Sequence, residues 1–119
     1  MEKTYVAGVD IGGQTTKIGI VDREGVIVAQ TVITSKYAAD EGKIFLSSIC
    51  DTIRYLAKEV GMDAVKGVGI GAPNGNYYSG CIEYAVNLPF AKNGKVPIKA
   101  FIEEKLGVPV TLTNDANAA

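Results

Sequence analysis

Apolar residues recur along this chain in two different periods, and the switches between them mark out its elements. Tyr5-Val6-Ala7-Gly8-Val9-Asp10-Ile11 is rich in β-formers and mostly apolar, as a central strand is. Gly12-Gly13 interrupts it. Thr16 to Asp22 alternates well enough for a second strand, Arg23-Glu24-Gly25 reads as a turn, and Val26 to Ile33 is a third β-like run. The opening is therefore predicted to be a three-stranded antiparallel meander.

From Asp40 to Gly61 the period lengthens. Phe45, Ile49, Ile53, Leu56 and Val60 recur at three- and four-residue steps, with charged residues between them. That spacing predicts an amphipathic helix of about five or six turns, with Asp40 as its N-cap and Gly61 as its stop. Val65 to Ala72 returns to an apolar strand, and residues 74–95 read as irregular. Pro97 is placed to open a second helix at its first position, running to Leu106 and stopped by Gly107. Val108 to Thr113 is a last strand, and Asn114 or Asp115 begins another helix. The order βββαβαβ predicts an α/β fold: a mixed five-stranded sheet with helices on its faces, because β-α-β crossovers make parallel neighbours. No linker or repeat divides residues 1–119, so they are expected to form one unit.

Composition narrows the chemistry. Lys+Arg 12 against Asp+Glu 13 leaves a net charge of −1, so no overall field favours nucleic acid or an anionic membrane. The longest apolar runs are strand-sized, short of the ~20 residues of a membrane span, and no leader follows Met1. A cytoplasmic location is expected. Histidine is absent, and Cys50 and Cys81 stand far apart, which reads as two free thiols, buried or half-buried, rather than a zinc site. Without histidine, a general base would most simply be a carboxylate.

Two segments carry the candidate chemistry. In Asp10-Ile11-Gly12-Gly13-Gln14-Thr15-Thr16-Lys17, two glycines between strands leave backbone N–H groups unshielded, and successive amides in such a turn make an anion-binding concavity. Gln14, Thr15 and Thr16 can add neutral donors and Lys17 a charge, while Asp10 is placed to hold Mg²⁺ directly or through water. This is not a P-loop, which requires GxxxxGK[ST] between a strand and a helix. At the other end, Asn114-Asp115 follows a strand and opens a helix. Capping alone explains one such residue, but two together supply a base and a hydroxyl-binding amide where ligands collect in open sheets. A third stretch, Gly69 to Gly75, has small residues at Gly71 and Ala72 that admit close ligand approach. Asn74 and Asn87 could bond sugar hydroxyls there, and Tyr77, Tyr78 and Tyr84 could line a pocket or simply pack.

Taken together, D-I-G-G-Q-T-T-K at 10–17, G-I-G-A-P-N-G at 69–75, N-L-P-F at 87–90 and T-N-D-A-N-A-A at 113–119 resemble the N-terminal lobe of the ROK family of sugar kinases, in the actin-like, ribonuclease-H-like ATPase superfamily. The resemblance implies the N-terminal lobe of a glucokinase-like enzyme that phosphorylates a hexose with ATP and Mg²⁺. Asp10, Gly12, Gly13, Gln14, Thr15 and Lys17 would face the nucleotide phosphates. Asp115 would be the catalytic base. Asn114, and more weakly Asn87, would contact the sugar beside Gly71 and Ala72. Gln14 stands where threonine is common, and Asn74 where glycine is common.

The resemblance also implies that the family's second lobe, with its histidine-bearing sugar motif, structural zinc and main homodimer surface, lies beyond Ala119. The fragment alone is then expected to be inactive. Some members are sugar-responsive repressors with a helix-turn-helix domain ahead of this lobe. A regulator or sensor that binds sugar without turnover is the alternative, and Asp115 argues against it because a sensor needs no base. A filament-forming or activator ATPase of the superfamily is a third reading, disfavoured by the N-L-P-F and N-D-A-N-A-A segments.

Overall fold

The computed structural model describes residues 3–114. The predicted meander is present. β1 (Tyr5–Ile11) pairs antiparallel with β2 (Thr15–Asp22), and β2 with β3 (Ile27–Thr34). The Asp22 carboxylate closes the β2–β3 turn by accepting the amides of Glu24 at 2.9 Å and Val26 at 3.0 Å.

The long helix is shorter than its period suggests. α1 spans Gly42–Leu56, and a single 3₁₀ turn, Ala57–Glu59, continues it. Val60 still reaches the core from that turn, which is why the apolar spacing runs on past the α-helix. Glu41, not Asp40, occupies the N-cap position, and its Oε1 accepts the Ala38 amide at 2.7 Å. The chain therefore turns at 38–41 and leaves Asp40 in solvent. Gly61, at φ +88°, ends the element as expected.

β4 (Val65–Ala72) has the predicted bounds. Residues 74–95, expected to be irregular, instead contain β5 (Gly75–Asn76) and β6 (Cys81–Glu83), and β7 (Lys95–Val96) completes an antiparallel sheet with them. Strands of two or three residues are too short to show alternation. α2 (Ile98–Leu106) begins one residue after Pro97 and ends at Gly107, whose φ of +70° is the left-handed stop that glycine favours. β8 (Val110–Asn114) starts two residues later than predicted. Glu103 Oε2 takes the Val110 amide at 3.1 Å, and the Pro109 carbonyl is joined to β4 through the Val68 amide at 2.9 Å.

The five long strands form one mixed sheet in the order β3-β2-β1-β4-β8, with β1, β4 and β8 parallel. Both described helices lie on the same face, α1 against β2, β3 and α2, and α2 against β8. The mixed five-stranded sheet with helices packed on it is the predicted fold class. The covered face buries Ala7, Val9 and Ile11, Ile18 and Ile20, Val68 and Ile70, and Val110 and Leu112, against Phe45, Leu46, Ile49, Ile53, Ile98 and Ile102 from the helices. Each such large side chain contributes about 1.5–3 kcal/mol on burial. Phe45 is fully buried, its ring 5.2 Å from Tyr37 and 4.8 Å from Phe90. The other face leaves Val6, Asp10, Lys17, Gly69, Thr111 and Thr113 exposed.

Cys50 is buried and Cys81 half-buried, both free, as their spacing suggests, and burial raises the Cys50 pKa. Among the described residues no helix is long and apolar enough to cross a membrane.

Candidate active site

Register brings the motif residues to one edge. Asp10 pairs with Lys17 across the hairpin and with Gly71 on β4, Gly71 pairs with Thr113 on β8, and Ala72 pairs with Asn114. The carboxyl ends of three parallel strands thus carry residues from all three segments that the sequence marks, which is where open α/β sheets bind ligands. Because partners across a ladder share a face, Asp10 and Lys17 stand together on the bare face, both exposed.

The hairpin tip is closed from within. The Gly12 amide donates to the Thr15 carbonyl at 2.9 Å, and a Cβ on Gly12 would stand only 3.0 Å from that oxygen. The Gln14 carbonyl accepts the Ser35 amide at 2.9 Å, tying the tip to the end of β3. The amides of Gly13 and Gln14 take no partner among the described residues. The cradle is therefore two tip amides flanked by the exposed side chains of Gln14, Thr15 and Lys17.

Thr16, read from the sequence as a further donor, faces the other way. It is fully buried, its Oγ1 2.6 Å from Ser35 Oγ. Alternation along β2 sends Thr15 and Lys17 outward and Thr16 inward.

Asn87 lies at the same tip. A Cβ on Gly13 would be 3.5 Å from Asn87 Cβ. The residue read as a secondary sugar contact thus lies beside the glycine hairpin. Asn114 is half-buried at the end of β8, next to Ala72 on β4. Asp115, the candidate base, lies outside the described residues.

The turn after β4 departs from the usual backbone. Asn74 has φ +55°, in the left-handed region where asparagine is among the few tolerated side chains, and its Nδ2 donates to the Tyr84 carbonyl at 3.1 Å. Asparagine thus serves where the resembled family commonly has glycine. Gly75 allows β5 to approach β8, since a Cβ there would come within 2.6 Å of the Thr113 carbonyl oxygen.

Between this turn and the end of β8 lies a cleft of about 570 Å³, lined by Asn74, Asn76, Tyr77, Glu83, Thr113 and Asn114 among others. The Ser79 hydroxyl at 2.8 Å and the Asn76 amide at 3.3 Å hold the Glu83 carboxyl below its ordinary pKa, helped by Lys95. Sequence reading missed this clasp, whose members become neighbours only through the short β5–β6 pairing. A larger groove of about 770 Å³, between β3 and α1, contains none of the motif residues.

The ROK family model matches residues 6–119. The chain belongs to the ROK family. The glucokinase of Halalkalibacterium halodurans is 31% identical over 122 residues, covering 100% of this chain and 36% of that protein. The ROK hexokinase from Thermus thermophilus has a TM-score of 0.78 at 26% identity, covering 97% of this chain and 36% of that one. A ROK family glucokinase from Streptomyces griseus, solved in complex with glucose and AMPPNP, has a TM-score of 0.60 at 30% identity, over 96% of this chain and 34% of that one. The chain spans about a third of the length of the curated relatives it matches. Its fold is that of these ROK sugar kinases, of the actin-like ATPase type.

Proposed function

We propose that this chain is the N-terminal lobe of an ATP-dependent hexose kinase. One observation carries the reading: the glycine hairpin and the Asn114 strand end converge on one edge of three parallel strands, in a chain whose relatives are glucokinases. The hairpin suits a polyphosphate because it presents unshielded amides at a tip with no side chain at Gly12 or Gly13. Lys17 adds a positive charge on the same face.

Mg²⁺ fits the donor set, since a hard cation takes oxygen ligands and Asp10 offers an exposed carboxylate at this edge. When bound with ATP, the ion would neutralise charge on the phosphates. The chain's own residues would do the rest. Asn114, Gly71 and Ala72 would receive the sugar, and Asp115 would orient its hydroxyl and take the proton as the bond to phosphorus forms. In a loose transition state there is little covalent work for the protein, so positioning and charge stabilisation dominate.

Purified full-length protein, assayed for ADP release across a panel of hexoses, should turn over one or a few of them in a Mg²⁺-dependent way. Measurable sugar binding with no turnover on any member would instead favour a sugar-responsive regulator.

A further inference from the structure

Asn87 projects from a fixed loop. The Ala85 amide donates to the Ala91 carbonyl at 2.9 Å, the Leu88 amide to Ala85 at 3.0 Å, and the Ala91 amide to Leu88 at 2.8 Å. Leu88 is wholly buried, and Phe90 packs on Phe45, so the loop is seated in the same core that supports α1. A Cβ on Gly42 would be 3.7 Å from Phe90 Cβ, which sets the start of α1 against it as well. From this base Asn87 is exposed and sits against Gly13, close to the two tip amides that take no partner among the described residues.

An asparagine amide offers two N–H donors and no charge. Beside Gly13 and Gln14 it would extend the row of neutral donors from the backbone to a side chain supplied by a separate loop. Donors fixed before reaction are the kind that stabilise charge spread over phosphoryl oxygens. We propose that Asn87 completes the hairpin cradle as a phosphate-binding residue, its side-chain amide donating to the phosphoryl group in transfer rather than to a sugar hydroxyl. The inference rests on the kinase reading above and gives this residue a different ligand from the one its sequence context suggests.

The test uses the full-length protein with Asn87→Ala, Asn87→Asp and Asn87→Gln. AMPPNP with Mg²⁺ and glucose are each titrated separately by calorimetry, and ADP release is measured in parallel. Removing a hydrogen bond to a charged group should weaken AMPPNP about tenfold in Asn87→Ala. It should weaken further in Asn87→Asp, where a carboxylate faces phosphate, while glucose affinity without nucleotide stays within about twofold. Weaker glucose binding with unchanged AMPPNP binding would overturn the proposal in favour of a sugar contact, and no change in either would overturn it outright. If both affinities fall in Asn87→Ala, Asn87→Gln decides: recovery of AMPPNP binding alone supports a phosphate donor, and no recovery refutes it. A wild-type protein that binds glucose but no AMPPNP would sink the kinase reading itself, and this proposal with it.

Discussion

Thr16 carries a hydroxyl into the core and meets Ser35 there, 2.6 Å away, with both side chains fully buried. The neighbouring Thr15 has the same chemistry and faces solvent. Nothing in the string Thr15-Thr16 distinguishes the two, and only the pairing of Thr16 with Ile11 and Ile33 settles which enters the core. Thr16→Val keeps the shape but leaves the Ser35 hydroxyl without its partner. It should lower stability by about 1–3 kcal/mol, read as a lower urea midpoint with an unchanged slope. An unchanged midpoint would mean that Ser35 finds another partner. Asn74 shows the converse case. Its departure from the family's usual glycine is visible in the sequence, but its left-handed backbone and its bond to Tyr84 are not. The placement of Asp10, Gly13 and Lys17 at a hairpin was legible at this scale because a glycine turn between two apolar runs restricts what the flanking residues can do.

The five strands of the main sheet and both helices were legible as elements, and their stops were clearest where glycine supplied them, at Gly61 and Gly107. The starts were harder. Asp40 and Glu41 are adjacent acids, and the turn at 38–41 rather than residue type decides which one caps α1. β5, β6 and β7 left no signal because no strand of two or three residues has a period. The α2–β8 junction depends on Glu103, whose carboxyl is held below its ordinary value of 4.5, first by the Val110 amide and then by Lys99 at 3.3 Å. A pKa lower in the folded chain than in the unfolded one means that this stabilisation is fully present above about pH 4.5. It is lost as pH falls through the folded value. Glu103→Ala should therefore melt below wild type at pH 7, with the gap closing on acidification below about pH 4.5. A gap of constant size down to pH 3 would contradict this assignment.

At the scale of the molecule, both described helices cover one face of the sheet, and on the other, left open among the described residues, Val6 is 48% and Val32 54% exposed. The crossover order predicts the parallel strands but cannot say which faces are covered. The four motif segments pointed to the family because their order and spacing across the chain are restrictive together, and the match over residues 6–119 bears that out. The meeting of the first, second and last of them at one sheet edge depends on the β1–β4–β8 register, which no single motif encodes. On the proposed function, this edge receives a hexose whose hydroxyl loses its proton to Asp115. The most direct measurement is ADP release by the full-length protein and its Asp115→Ala variant on the preferred hexose, with sugar affinity titrated alongside. A positioned base contributes about 10²–10⁴-fold, so turnover should fall by about a thousandfold while hexose affinity stays within a few-fold of wild type. Wild-type turnover in the variant would rule out Asp115 as the base.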